Sequence, residues 1–230
     1  MSIHATQTSI LRTLRRNQLA RFGDLMRPSG MSSDTFKFHI KKLVELGYIH
    51  KTPQGAYALT PAGKEFANNL DELSGEARKQ PKISLLLQVG SPDTSNPQKF
   101  LFQQRRRNPF YGYWGNISGP AKWGQTFEKT AAYELQKQTG LTANFQVKKF
   151  IRARDFMANN EELLEDKLFV VLSATTVQGT PSNGWGGGHN AWMTLSEFNQ
   201  QKQHFTAAEQ TLQNKQPYAS RDSVYDLAAY

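Results

Sequence analysis

The sequence predicts an α+β protein with two domains, and three observations carry this prediction. In the first 70 residues, apolar side chains recur every three or four positions, which is the spacing of helices. Beyond residue 82, segments 83–89 and 99–107 have the composition of strands. A polar, charged stretch that ends at Pro81 separates the two regions and predicts a linker. The predicted boundaries are 1–72 for the first domain, 73–81 for the linker and 82–230 for the second domain.

Composition excludes several classes of protein. The chain of 230 residues has no cysteine, which excludes disulfides and thiolate metal ligands. The longest strongly apolar run, 168–172, is far shorter than the roughly 20 residues that cross a bilayer. No secretory signal is recognised in residues 1–18, which arginines interrupt. We therefore expect a cytoplasmic protein with no membrane partner.

Positive charge is concentrated in the first domain. The chain has 28 Lys and Arg against 19 Asp and Glu, a net charge of +9. Residues 1–70 hold ten basic and four acidic side chains and thus contribute +6 of that total. A small basic domain indicates a polyanionic partner, most often nucleic acid. A basic surface that only maintains solubility is the alternative.

The first domain is predicted to contain three helices, a β-hairpin and a fourth helix. Ser32 or Ser33 is suited to cap the third helix, because a serine hydroxyl accepts a hydrogen bond from a free backbone amide. The turn 52–55 contains Pro53 and Gly55, which suit a tight connection between two short strands. In chain order the elements are a helix with Ile10, Leu11 and Leu14 on its apolar face, a short helix over 21–26, the third helix with Phe36, Ile40, Leu43 and Val44 toward the core, strands over 49–52 and 56–59, and a helix over 61–70.

This order of elements resembles the winged helix-turn-helix domains of transcription regulators. The resemblance covers about residues 5–72 and implies that the third helix enters the major groove of DNA while the hairpin is the wing. It also implies a homodimer, because a single winged helix seldom reads enough sequence. A protein-binding or purely structural domain is the alternative. The DNA-binding candidates are Ser33, Asp34, Thr35, Lys37, Phe38, Lys41, Lys51 and Gln54.

A motif in the second domain is similar to the Nudix box. The family pattern is a Gly, five residues, a Glu, seven residues, then Arg-Glu-apolar-x-Glu-Glu-x-Gly-apolar. In this chain Gly119 is followed at the same spacings by Gln125 and by Tyr133-Glu-Leu-Gln-Lys-Gln-Thr-Gly-Leu. The resemblance implies that residues 82–230 fold as an α/β/α sandwich with a mixed sheet.

The acidic positions of this motif are mostly replaced. Only Glu134 stands at a family carboxylate position, while Gln125, Lys137 and Gln138 occupy the other three. In Nudix enzymes these glutamates hold divalent metal against a diphosphate, since Mg²⁺ requires a shell of hard oxygen ligands. The pattern therefore predicts a domain that binds a phosphorylated molecule, requires no cofactor and is impaired in hydrolysis.

Two interpretations of the box remain open. Lys137 acts either as a fixed cation in the place of the metal or as a solvated residue paired with Glu134. In the alternative in which the domain is active, Glu134 is the catalytic and metal-binding candidate, and Mg²⁺ is needed. Glu161, Glu162, Glu165 and Asp166 predict a solvated acidic helix, with a displaced metal site at Glu165 or Glu161 as the alternative. The five histidines lack ligand spacing, so no zinc site is expected.

Further ligand-binding candidates surround the box. Arg105 and Arg107 end a predicted strand and are suited to bind phosphate bidentately. Trp114 either stacks on a base or fills the core. The glycine-rich loop 184–188 is either an anion nest or a plain loop. With Lys137, the ligand-binding candidates are Arg105, Arg107 and Trp114.

Together these features predict a DNA-binding transcriptional regulator. Its second domain senses a phosphorylated small molecule such as a nucleotide or nucleotide sugar. The alternatives are a Nudix hydrolase of nucleoside diphosphate derivatives with relocated metal ligands, and a scaffold protein that binds neither DNA nor small molecules.

Overall fold

The computed structural model describes residues 3–71, 74–93, 98–213, 216–226, 228 and 230. The chain divides into two compact units, Met1–Lys79 and Gln80–Tyr230. Residue 73, the first of the predicted linker, lies outside the described residues. The segment just after it folds back on the first unit, where the Asp71 amide donates to the Glu76 carbonyl at 2.7 Å.

The first unit consists of helices and one antiparallel hairpin. β1 pairs with β2 so that Ile49 lies opposite Leu59, and the Gly55 amide closes the turn by donating to the Thr52 carbonyl at 2.9 Å. The elements are α1 (Ala5–Arg16), α2 (Phe22–Met26) with a 3-10 turn (Arg27–Ser29), α3 (Ser33–Glu45), β1 (Ile49–Lys51), β2 (Tyr57–Leu59) and α4 (Pro61–Asn68).

One apolar face of α3 supplies the core of this unit. Ser32 caps the helix, its hydroxyl accepting from the Thr35 amide at 3.3 Å, and Phe36, Ile40 and Leu43 are buried. Val44 was expected beside them but is 43% exposed. At 3.6 residues per turn it lies about 80° around the helix from Phe36, at the margin of the apolar stripe.

The second unit is built on a mixed sheet. Within the described residues the sheet has eight strands in the order β10-β6-β7-β3-β5-β4-β9-β8. The β3–β7 and β10–β6 pairs are parallel and the other pairs are antiparallel. The elements are β3 (Lys82–Gln88), β4 (Lys99–Arg105), β5 (Trp114–Pro120), α5 (Phe127–Thr139), β6 (Thr142–Met157), β7 (Leu163–Gln178), β8 (Gly184–Trp185), β9 (Gly188–Thr194), α6 (Leu195–Asn199), α7 (Thr206–Gln213) and β10 (Tyr218–Tyr225).

Helices cover both faces of this sheet. Leu85 and Leu87 of β3 pack against α5 through Leu135. Because successive strand residues point to opposite faces, Gln88 points to the other face, where its Nε2 donates to the Thr211 carbonyl of α7. In the described part of the chain no helix is both long and apolar enough to cross a membrane.

Candidate functional site

Helix α5 carries the motif found in the sequence and is well defined at both ends. Thr126 caps its start, the hydroxyl accepting from the Lys129 amide at 3.3 Å. Gly140 ends it with a φ of 78°, a left-handed conformation that glycine adopts without a Cβ penalty. Ala131 and Leu135 are fully buried in the core. These contacts fix the direction in which the motif residues of α5 point.

Glu134 and Gln138 point into the protein interior, not into an open cleft. Only 3% of Glu134 and 2% of Gln138 are exposed. The Gln138 amide Nε2 donates to Glu134 Oε2 at 2.9 Å and to the Ser118 carbonyl at 3.0 Å. Gly119 makes room for this pair, because a Cβ there would lie 2.8 Å from Glu134 Cγ. This is a correction to the expectation that both side chains face a ligand.

The residues at this position do not fit a Mg²⁺ ion. Glu134 is the one carboxylate in the motif, and the Lys137 ammonium lies 3.7 Å from its Oε2. The ammonium group and the Gln138 amide thus take the place that a divalent cation would need beside this oxygen, and Mg²⁺ prefers several oxygen ligands. Among the described residues, no group of three or more His, Asp or Glu side chains is arranged to hold a metal ion.

Lys137 and Trp185 belong to a cation–aromatic cluster at the surface of α5. The Lys137 ammonium lies 5.2 Å from the Trp185 ring centroid, and the Arg107 guanidinium lies 5.8 Å from the same ring. Lys122 lies over the Tyr133 ring at 3.0 Å. Such contacts between cations and ring faces are attractive. Lys137 is therefore paired both with Glu134 and with an aromatic ring.

The main cavity of the second unit lies on the face of the sheet opposite α5. Its volume is about 230 Å³. Leu86 of β3 and Phe169 of β7 contribute to its wall from strand positions that alternate with those packed on α5, and Ala208 of α7 contributes from the helix layer. Of the described residues that line it, the charged ones are Arg105, Arg107, Asp155, Lys167 and Arg221.

Positive charge dominates this cavity, with four cationic side chains against one carboxylate. Burial lowers the pKa of Arg105, with the charge of Arg107 acting in the same direction. Burial also lowers the pKa of Lys167 and of Arg221, and it raises the pKa of Asp155. Partly desolvated cations that repel one another are stabilised when an anion lies between them. The cavity therefore has the electrostatics of an anion-binding site.

Two of these side chains have unused polar atoms. The Asp155 Oδ1 and the Arg221 Nε are buried and have no hydrogen-bond partner among the described residues. The Arg105 Nε, in contrast, donates to the Pro109 carbonyl at 2.9 Å, which holds its guanidinium at the cavity wall. Unpaired buried polar atoms are costly and mark positions where a ligand completes the bonding.

Glu165 anchors the cationic side of the cavity. Its carboxylate accepts from the Lys82 ammonium at 2.9 Å and pairs with Lys167 at 3.5 Å, and the Tyr230 hydroxyl donates to it at 3.4 Å. Burial alone would raise the Glu165 pKa, but the two lysines lower it below its usual value. The expected solvated acidic helix is wrong here, because Glu165 lies in β7 and is buried.

Aromatic side chains form another part of the wall. Phe110 and Phe205 line the cavity, and their rings meet edge to face with centroids 5.2 Å apart. Phe110 has a φ of 64°, which is uncommon for a bulky residue. Gly115 lets Phe205 approach β5, because a Cβ there would lie 2.9 Å from Phe205 Cδ2. Non-glycine residues in such backbone conformations are concentrated at functional sites.

The structure distributes the predicted ligand-binding residues over two places. Arg105 and Arg107 line the cavity. Trp114 does not; it packs in a separate apolar cluster with Phe102 and Phe198. Lys137 does not line it either and sits at the α5 surface beside Glu134.

Sequence reasoning missed Asp155, Lys167 and Arg221. A signal for Asp155 was available in its strand. It continues the alternation of Ile151 and Ala153, which places a carboxylate on the buried side of β6. A charged residue at a core-facing strand position indicates a functional site.

The predicted DNA-binding residues are all on the surface of the first unit. Phe38 is 64% exposed, and Lys37 donates to the Asp34 carboxylate at 3.0 Å. Lys41 lies 4.0 Å from Glu45. The exposed set comprises Ser33, Asp34, Thr35, Lys37, Phe38 and Lys41 of α3 with Lys51 and Gln54 of the hairpin.

Comparison with known proteins identifies the second unit. The family profile described as NUDIX domain matches residues 86–214, more than half of the chain. The chain belongs to the Nudix family. The match leaves out the first unit, and no curated protein matches the sequence.

Solved structures show the same fold for the Nudix domain. A mutator MutT protein from Bacillus halodurans is 16% identical, with a TM-score of 0.50 over 65% of this chain and 93% of that chain. The NUDIX domain of Shewanella oneidensis NrtR, complexed with ADP ribose, is 18% identical over 67% of this chain and 94% of that chain, with a TM-score of 0.48. The MutT NUDIX hydrolase from Burkholderia pseudomallei is 18% identical over 60% and 100%, with a TM-score of 0.46.

Proposed function

We propose that this protein is a DNA-binding transcriptional regulator whose Nudix domain binds a phosphorylated small molecule and is impaired in hydrolysis. The ligand class is a nucleotide or a nucleotide sugar. One observation carries the proposal: the main cavity of the Nudix domain sets four cationic side chains against a single carboxylate. The sensing of the ligand requires that it favour one state of the regulator over another.

Phosphate is the anion that best suits this cavity. A guanidinium presents a planar fork of donors that matches two oxygens of a phosphate, and an ammonium adds a point charge. Arg105, Arg221 and Lys167 approach from three different strands, so they are suited to surround a group with several charged oxygens. Apolar neighbours such as Phe205 provide a surface for the non-phosphate part of the ligand.

The motif on α5 supports binding over hydrolysis. Hydrolysis by this family needs carboxylates to hold the metal, but Glu134 is bonded to Gln138 and paired with Lys137. We propose that this degenerate Nudix box stabilises the fold. The alternative function, a hydrolase with relocated metal ligands, predicts Mg²⁺-dependent release of phosphate that Glu134→Gln abolishes.

The first unit supports the DNA-binding part of the proposal. Its order of helices and hairpin matches that of a winged helix, and its first 70 residues carry a net charge of +6. The outer face of α3 exposes Lys37, Phe38 and Lys41. We propose that the protein acts as a homodimer on DNA, because paired half-sites supply the sequence information that one recognition helix lacks.

Ligand binding is tested by the thermal stability of the protein in the presence of inorganic diphosphate, ADP or UDP-glucose, each in EDTA and in Mg²⁺. A ligand that binds only the folded state raises the melting temperature with the logarithm of its concentration. We expect at least one of the three to do so in EDTA and Arg221→Met to weaken this binding by about tenfold or more. The matched control is Arg154→Met, because Arg154 pairs with Asp222 and does not line the cavity. Equal losses in the two variants would count against the cavity as the binding site.

DNA binding is tested by fluorescence anisotropy with DNA fragments from around its own gene, over a series of salt concentrations. We expect affinity to fall with salt, with a log–log slope that decreases by about 0.9 for each phosphate contact that a lysine variant removes. Lys37→Ala combined with Lys41→Ala is the test variant. Lys148→Ala is the control, because Lys148 is exposed on the Nudix domain. A complex that is insensitive to salt, or no complex at all, would contradict the proposal.

A further inference from the structure

Asp155 is an exception in a cavity of positive charge. It lines the wall near the middle of the sheet, only 6% of it is exposed, and its Oδ1 has no hydrogen-bond partner among the described residues. A cavity that bound only a polyphosphate would be better lined without this group, because a buried carboxylate repels the anion. Its presence calls for an additional explanation.

The neighbouring cations do not satisfy this oxygen. Lys167 pairs with Glu165 at 3.5 Å, and the Arg221 Nη1 donates to the Ser223 hydroxyl at 3.5 Å. Both act on Asp155 through their charge, yet neither bonds to Oδ1. The acceptor therefore remains available to a group that enters the cavity from outside.

The position of Asp155 limits what that group is. A carboxylate oxygen accepts hydrogen bonds, so the ligand must supply a donor. Because Asp155 lies among the cations, the donor must be close to the phosphate of the ligand. The hydroxyl groups of a phosphorylated sugar meet this condition, whereas the amino group of a nucleobase lies beyond the sugar. The cavity volume of about 230 Å³ is below the roughly 300–1,000 Å³ of pockets for larger ligands and suits a sugar phosphate.

We propose that the cavity recognises a phosphorylated sugar, with Asp155 accepting a hydrogen bond from a sugar hydroxyl while Arg105, Lys167 and Arg221 hold the phosphate. The inference rests on the proposed function of the cavity and narrows its ligand from phosphorylated molecules in general to those with a hydroxyl close to the phosphate. Asp155 thereby acts as a specificity-determining residue: inorganic phosphate meets a repelling charge, and a sugar phosphate meets an acceptor.

The test compares three probes by calorimetric titration of the full chain. Ribose 5-phosphate carries ring hydroxyls, tetrahydrofurfuryl phosphate has a similar ring and phosphate without them, and inorganic phosphate has no sugar. We expect wild type to bind ribose 5-phosphate about tenfold to a hundredfold more tightly than tetrahydrofurfuryl phosphate, since the analogue leaves a buried charged acceptor unpaired. In Asp155→Ala the two should bind equally, and inorganic phosphate should bind at least as tightly as to wild type.

Two further variants keep the result interpretable. Asp166→Asn is the matched control, because Asp166 pairs with Arg152 and does not line the cavity; it should retain the wild-type preference. Asp155→Asn keeps the shape of the side chain if the alanine variant does not fold, and it should reduce the preference while strengthening inorganic phosphate binding.

The outcomes separate the two proposals. Equal binding of both ring compounds by wild type, or an undiminished preference in the Asp155 variants, overturns the role of Asp155. Binding of inorganic phosphate or of tetrahydrofurfuryl phosphate, with no binding of ribose 5-phosphate, overturns it as well. If no probe binds and the diphosphate and nucleotide probes also fail, the proposed function of the cavity itself is wrong.

Discussion

The pairing of Glu134 with Gln138 can be tested by turning the amide back into a carboxylate. Gln138 donates to the Glu134 Oε2 at 2.9 Å and to the Ser118 carbonyl at 3.0 Å, and both side chains are buried. Gln138→Glu replaces the donor by an acceptor at nearly the same shape. The variant then has two carboxylates side by side in the interior and loses both hydrogen bonds.

The size of the effect follows from this distance. Two unit charges separated by 2.9 Å repel by about 6 kcal/mol at an effective dielectric constant of about 20. The protein avoids part of this repulsion because one carboxyl takes up a proton. The two lost hydrogen bonds add about 1 kcal/mol each. We therefore expect the free energy of unfolding of the Nudix domain to fall by about 3–5 kcal/mol near pH 8.

The effect should depend on pH in a defined direction. In the folded variant the repulsion raises the pKa of the carboxyl pair above the usual value of about 4.3. Stability is then retained at low pH and lost as the pH rises from that value through the raised pKa. The loss relative to wild type should be small near pH 5 and largest near pH 8.

Chemical denaturation of the Nudix domain transition measures both quantities. Gln136→Glu is the matched control, because Gln136 lies on the exposed side of α5, and it should change stability by less than about 0.5 kcal/mol. A Gln138→Glu variant as stable as this control, or one whose loss does not grow with pH, would refute the bonded pair.

Two further predictions concern the surroundings of the cavity and the box. Gly119→Ala places a Cβ 2.8 Å from Glu134 Cγ and should lower the stability of the Nudix domain by about 1–3 kcal/mol in denaturation experiments; Gly186→Ala, where a Cβ meets nothing within 4 Å, should not. Two lysines keep the Glu165 pKa below its usual value of 4.5 despite burial, so the stabilisation is present above that value and lost as the pH falls through the lowered pKa. Thermal melts between pH 2 and 7 should show this acid-dependent loss in wild type and in Glu162→Gln but reduced in Glu165→Gln, and an unchanged acid limb in Glu165→Gln would contradict the assignment.

Local signals in the sequence were sufficient for the helices that position the candidate sites. The capping serine and the apolar spacing from Phe36 to Leu43 predicted α3, and the structure confirms a helix over Ser33–Glu45. The box spacing predicted a Nudix domain, which the family match confirms. Such features depend on neighbours in sequence, so one chain suffices to recognise them.

The cavity depends on neighbours in space and was less accessible. Asp155, Lys167 and Arg221 come from three strands, and two of these strands join the sheet through β10–β6 and β6–β7 pairing. The register of such distant pairs is not written in any local pattern. The burial of Glu134 was missed for a related reason, because it depends on Gly119 making room on a neighbouring strand.

Calorimetric titration of wild-type protein with inorganic diphosphate, first in EDTA and then in Mg²⁺, with phosphate release followed in the same samples, tests most directly whether this Nudix domain holds its ligand without cutting it. We expect saturable binding in EDTA, similar affinity in Mg²⁺ and no turnover. Binding that requires Mg²⁺, accompanied by phosphate release at about 1 per second or faster as in ordinary enzymes, would contradict that conclusion.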